Sequence, residues 1–158
     1  MGFIIENSTA FGVLAIAALF AGGLVGCGEA GPDVEHDLQF THLDTPLEIG
    51  DGIARRTDDD TNPIAITFTE EDLSCDDADL NLGDYDKLAQ VRVSDFETGE
   101  YSGQVQFRNG SSSGSNWGTV NIDGISSSEV WGDVRWGMTI NNMETSIRGT
   151  FVVKNCVD

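Results

Sequence analysis

Positive charge is what this chain has least of. Its 158 residues carry 8 Lys and Arg against 27 Asp and Glu, a formal net charge of −19, and its only lysines are Lys87 and Lys154. Phosphate backbones are held by clustered Lys and Arg, so nucleic acid is excluded as a partner. Anionic lipid head groups repel such a surface. The charge reads as solubility in a salty medium, where screening tolerates self-repulsion, ahead of cation binding. Histidine is nearly absent too. His36 and His42 lie far upstream of the cysteines, and no CxxC occurs, which leaves no zinc-type ligand set. Neither histidine is placed to serve as a base. Ser111 to Ser113 and Ser126 to Ser128 read as turn residues, so no catalytic residues are assigned and the chain is read as a non-enzyme. A convincing helical period is missing beyond residue 27, apart from one turn expected at 70–73.

A single long apolar run is present, at residues 10–20, and it leads into Leu24-Val25-Gly26-Cys27. This tetrapeptide resembles the lipobox of bacterial lipoprotein precursors: an aliphatic residue, a small or aliphatic residue, a small residue and the lipid-bearing cysteine. The resemblance implies a diacylglyceryl group on the Cys27 sulfur and cleavage before it, making 1–26 a signal peptide. A secretory signal also has a basic start. Residues 1–26 contain no Lys or Arg, and their one charge is Glu6, so −19 becomes −18 once they are removed. The competing reading is an uncleaved anchor, for which the stretch is short against the roughly 20 residues of a spanning helix. Two acyl chains hold a protein stably where one does not. The expected place is therefore the bacterial cell envelope, tethered to the membrane by lipid. Gly28, rather than Asp, after the cysteine implies the outer membrane by the sorting rule of some Gram-negative lipoproteins.

With Cys27 given to lipid, Cys75 and Cys156 form an even pair in an exported chain, which favours a disulfide. Residues 27–37 are rich in Gly, Pro and acid and read as a flexible tether, leaving 38–158 as a single β domain. Leu38-Gln39-Phe40-Thr41-His42-Leu43 alternates and predicts a first, edge strand. Residues 50–63, with Asp58-Asp59-Asp60 at their centre, read as a solvated loop. Period-two runs then follow: Ile64, Ile66, Phe68; Ala89, Val91, Val93; Val105, Phe107; Val120, Ile122; Val130, Val134, Trp136; and Ile147, Phe151, Val153. Turn clusters stand between them at 97–99, 109–115, 123–124 and 141–142. The pattern predicts an all-β fold, an antiparallel β-sandwich or barrel-like sheet of six to eight short strands. A Cys75–Cys156 bridge would join the last strand to the first core strand. The Gly99-Glu100-Tyr101 hairpin and the closing Arg148-Gly149-Thr150-Phe151-Val152-Val153-Lys154-Asn155-Cys156 resemble a group of small bacterial lipoproteins. The likeness spans about residues 64–156 and carries over no activity.

Two binding features stand out. Asp77, Asp79, Asn81 and Asp84 alternate like the oxygen ligands of a calcium loop. Gly83 falls one place late for a helix-loop-helix site, and the twelfth position is Leu88, which cannot ligate. The solvated acidic turn is favoured, with calcium as the one cofactor considered. Trp131, expected on the face opposite Trp136, together with Trp117 and Tyr101, offers aromatic faces for a sugar. Burial of Trp131 under a second layer is the alternative. The expected role is structural or adhesive, with an envelope glycan or protein as partner. The runner-up is a carbohydrate- or calcium-binding surface domain, and a secreted-type hydrolase comes third.

Overall fold

The computed structural model describes residues 35–50, 52–76, 83 and 85–157, all outside helices. Nine strands run in chain order: β1 (Gln39–His42), β2 (Thr45–Leu47), β3 (Gly52–Arg56), β4 (Ile64–Thr69), β5 (Lys87–Val93), β6 (Gly99–Asn109), β7 (Ser112–Ile125), β8 (Glu129–Ile140) and β9 (Met143–Cys156). Their order is β2-β1-β9-β3-β4-β5-β6-β7-β8, and β8 returns to β9, so β3 to β9 close a seven-stranded barrel. The closing pair β3–β9 is parallel and the other pairs are antiparallel. Barrel-like all-β architecture is as the alternation foretold. The strands number nine rather than six to eight, and β7 and β9 reach 14 residues each.

One cross-strand row explains how the barrel fills its interior. Register aligns Val153, Gly52, Phe68, Ala89, Phe107 and Gly114 across β9, β3, β4, β5, β6 and β7. Large and small residues alternate, which is how a narrow barrel accommodates aromatic rings. A Cβ at Gly52 would lie 2.7 Å from the Phe68 ring, and one at Gly114 2.7 Å from the Phe107 ring. Gly118 stands in the same relation to Trp136. The rings also meet one another: Phe107 to Trp136 at 5.4 Å, Phe40 to Phe107 at 6.3 Å, and Phe68 to Phe151 at 6.0 Å. Inward residues are thus apolar, while outward rows hold Thr, Gln, Asp and Arg. A membrane-spanning barrel presents the reverse pattern.

β9 organises the sheet. One edge pairs with β8 from Met143 to Lys154; the other takes β1 at 146–148 and β3 at 153–156. Between these two partners sits Gly149 at φ +124, where a Cβ would run into the Asp37 carbonyl. Residues 35–37, read from sequence as the end of a tether, are hydrogen-bonded to β9 here. The Asp37 amide donates to the Thr150 carbonyl at 3.0 Å, and the Thr150 hydroxyl donates to the Glu35 carbonyl at 2.7 Å. His36 Nδ1 accepts from the Val152 amide at 3.4 Å. Turn chemistry follows the expected residues at Asn141-Asn142, whose φ values of 52 and 64 suit a two-residue hairpin joining Ile140 and Met143.

Several sequence expectations are corrected, among them the turn at 123–124, which lies within β7 at a bulge. Residues 50–63 are not one loop, because they contain β3; Ile53 and Ala54 are both buried, so the strand lacks polar alternation. Residues 109–115 are not one turn: β6 ends at Asn109 and β7 resumes at Ser112. β1 is not an edge, since β2 and β9 flank it. The last strand does not lie beside the first predicted core strand, because β3 separates β9 from β4.

The disulfide forms nonetheless. Cys75 and Cys156 are bridged with α-carbons 5.3 Å apart, within the range a bridge permits. To reach it, the segment after β4 folds back without a helical turn at 70–73. Lys154 Nζ donates to the Leu73 carbonyl at 2.6 Å, and Lys154 pairs with Ile53 in register. Ile53, Ala65, Leu73 and Leu88 are buried yet lie outside the barrel's core cluster. They form a second apolar layer on the outer face of β3–β5.

Candidate functional site

The outer face of the barrel has two characters. Over β4 and β5 it is sealed. Gln90 is fully buried; its Nε2 donates to the Thr67 hydroxyl at 2.9 Å, and its Oε1 accepts from Arg92 Nε at 2.8 Å. Arg92 also reaches Asp59 at 3.7 Å. Asp59 Oδ1 accepts from the amides of Thr61 at 2.9 Å and Asn62 at 3.2 Å. These amides, with the Arg92 charge, hold its carboxyl below the usual value. The acidic loop is therefore a turn fastened to the sheet at Asp59, with Asp58 and Asp60 exposed. The arrangement is structural: Thr67, Gln90, Arg92 and Asp59 are linked in one chain of polar contacts.

The face of β7, β8 and β9 is open. Trp117 is the one large apolar side chain standing out from the described surface, 63% exposed, on β7 opposite Gln104. Trp131 faces outward as expected and is half-buried, its ring lying across Gly124 at the β7 bulge. Tyr101 points the other way. It packs against the barrel core, and its hydroxyl donates to the Glu97 carbonyl at 3.0 Å. The three aromatics do not form one platform. Trp117 and Gly124, beneath Trp131, are seven residues apart on β7, about 23 Å of strand.

On β8 and β9 lies a groove of about 430 Å³ lined by Arg135, Gly137, Met138, Thr139, Glu144 and Arg148, with Trp136 behind it. Arg135 and Arg148 are directly opposite in register. Arg135 Nε lies 3.1 Å from Asp133 Oδ1, and an Arg148 terminal nitrogen lies 2.6 Å from Glu144 Oε1. The sequence reading did not single out this pair. Its signal was available: the two arginines are equally spaced on either side of Asn141-Asn142, and a two-residue turn makes such residues cross-strand partners. A second groove, of about 360 Å³, lies over Leu88, Gln106, Arg108 and Ser113.

The remaining candidates are accounted for as follows. His42 is buried, its ring 5.3 Å from Phe107 and its Nδ1 3.4 Å from the Thr145 hydroxyl, and His36 is bonded to β9. Cys27 and the calcium-type residues Asp77, Asp79, Asn81 and Asp84 lie outside the described residues. Among the described residues no cluster of His, Cys, Asp and Glu is arranged to hold a metal. The fold and its open face define a small all-β barrel with a filled interior. No family model, curated protein or solved structure matches this chain.

Proposed function

We propose that this chain is a lipid-anchored binding module of the bacterial cell envelope, held by a diacylglyceryl group on Cys27 and acting without catalysis. The observation that carries the anchor is Leu24-Val25-Gly26-Cys27 after an apolar run. Two features support binding over catalysis. The barrel interior is filled by interlocking aromatic and aliphatic side chains, so any partner must meet the outer surface. Both histidines are engaged by the fold, away from the open groove. The exposed Trp117 gives that outer surface an anchor of the kind recognition sites use. An envelope glycan or an envelope protein is the class of partner that such a tethered module meets.

The anchor is tested by metabolic labelling with palmitate. Wild type should be labelled and membrane-bound, and Cys27→Ala should be unlabelled and remain as precursor. Labelling of the alanine variant, or none of the wild type, would remove the lipoprotein reading.

A further inference from the structure

The outward rows of β7, β8 and β9 carry a charge pattern that stability alone does not favour. Register places Gln39, Arg148, Arg135 and Thr119 in one row across β1, β9, β8 and β7. Two like charges directly opposite destabilise a sheet. The chain holds only 8 cations against 27 acids, yet two of them occupy one cross-strand pair. Asp133 pairs with Arg135 at 3.1 Å and Glu144 with Arg148 at 2.6 Å. The arginine side chains remain 79% and 61% exposed all the same.

The next row along pairs Gly137 with Ser146, and the one beyond pairs Thr139 with Glu144. Gly137 has no side chain, so a floor opens between the arginines and Thr139/Glu144. A Cβ at Gly137 would meet the Arg148 guanidinium at 3.2 Å, which places that group over the floor. A Cβ at Gly118 would lie 2.9 Å from Trp136 Cβ, so β7 at 118 abuts β8 at 136, and Trp117, one residue before Gly118, stands on the β7 side of the groove. β7 and β8 pair only from Thr119↔Arg135 onward among the described residues, which leaves this corner open.

We propose that the groove binds an acidic saccharide, its carboxylate or sulfate held by Arg135 and Arg148 and one sugar face stacked on Trp117. Guanidinium forks match planar or tetrahedral oxyanions through paired hydrogen bonds. An exposed indole offers the apolar face that a pyranose ring covers, and Thr139 and Glu144 are in place for hydroxyls. Elsewhere the protein's negative charge repels an acidic glycan, so the arginine pair also sets where on the surface the polymer can sit. This inference rests on the binding-module reading above.

The test is titration calorimetry of the full-length chain in non-ionic detergent with hexagalacturonate, a chondroitin sulfate hexasaccharide and maltohexaose. Hexagalacturonate or the sulfated probe should bind and maltohexaose should not; whichever binds identifies the oxyanion. Arg135→Gln, Arg148→Gln and Trp117→Ala should each weaken binding at least about tenfold, and Trp117→Phe should recover part of it. Binding should fall with added salt, since the pair is exposed. All three positions are exposed, and unchanged near-ultraviolet circular dichroism confirms the fold of each variant. Binding of maltohexaose that depends on Trp117 but ignores the arginines would overturn the acidic specificity and leave the module reading standing. No binding of any probe at millimolar concentration would overturn this inference, and palmitate labelling reports on the anchor independently.

Discussion

The two walls of this barrel start from the same alternation and end differently. In β4 all six residues are buried, on both faces. In β8 burial alternates cleanly through Val130, Gly132, Val134 and Trp136 while Trp131, Asp133 and Arg135 face outward. The first wall is covered by the turn at Asp59, the segment around Leu73 and the Cys75–Cys156 bridge. The second leaves Trp117, Arg135 and Arg148 exposed. The difference separates roles. A wall whose outward Thr67, Gln90, Arg92 and Asp59 engage one another holds the barrel together, whereas a wall with an unburied indole and a repulsive arginine pair gives up stability in exchange for a surface.

Breaking the sealed wall should have the largest effect. Replacing Cys75 and Cys156 by Ser releases a loop closed by residues 81 apart and should lower unfolding free energy by about 4 kcal/mol in the chain-entropy model. Urea denaturation measures this, and a loss below about 1 kcal/mol would mean that the bridge does not secure that wall. Next comes Gln90→Leu. It keeps the volume but leaves the Thr67 hydroxyl and Arg92 Nε without their buried partner, at a cost of about 1–3 kcal/mol. Unchanged stability would show that water replaces the amide and that the wall is not sealed.

The open wall should barely respond. Trp117→Ala removes the largest exposed side chain, yet thermal unfolding should place it within about 0.5 kcal/mol of wild type. A loss well above that would make Trp117 part of the core, with no reason to stand free. The smallest effect belongs to Asp59. Its carboxyl is held below the ordinary 3.8 first by the Thr61 and Asn62 amides and then by Arg92. A depressed folded value means that the contribution is fully present above the unfolded value and disappears as pH falls through the folded one. Melting temperatures of wild type and Asp59→Asn should therefore differ slightly at neutral pH and converge below pH 3.8. A gap that widens on acidification would reverse the sign.

How far the sequence revealed each wall follows from the same contrast. β4, β5, β8 and β9 were legible because apolar residues recur at every second place, and Asn141-Asn142 announced its hairpin. β3 was hidden because Gly52, Ile53 and Ala54 are all buried, so the segment shows no polar alternation within an acidic stretch. The tip of β7 was hidden because Gly114 falls in a Ser/Gly run that reads as a turn and Gly118 adds no side chain to the alternation. Their place is in the strand, where Phe107 and Trp136 occupy the space a side chain would fill, and only the cross-strand partner reveals this. Trp131 was legible as an outward position; Tyr101 was not, since its inward parity with Gly103 and Val105 depends on where β6 begins. The arginine pair needed one further step, counting outward from the hairpin turn.

The measurement that tests the division of roles most directly is an amide chemical-shift map of the full-length chain titrated with hexagalacturonate. Shifts should concentrate at Trp117, at Arg135 to Thr139 and at Glu144 to Arg148, with β3, β4 and β5 unmoved. Shifts centred on the sealed wall, or spread evenly over both, would contradict the account.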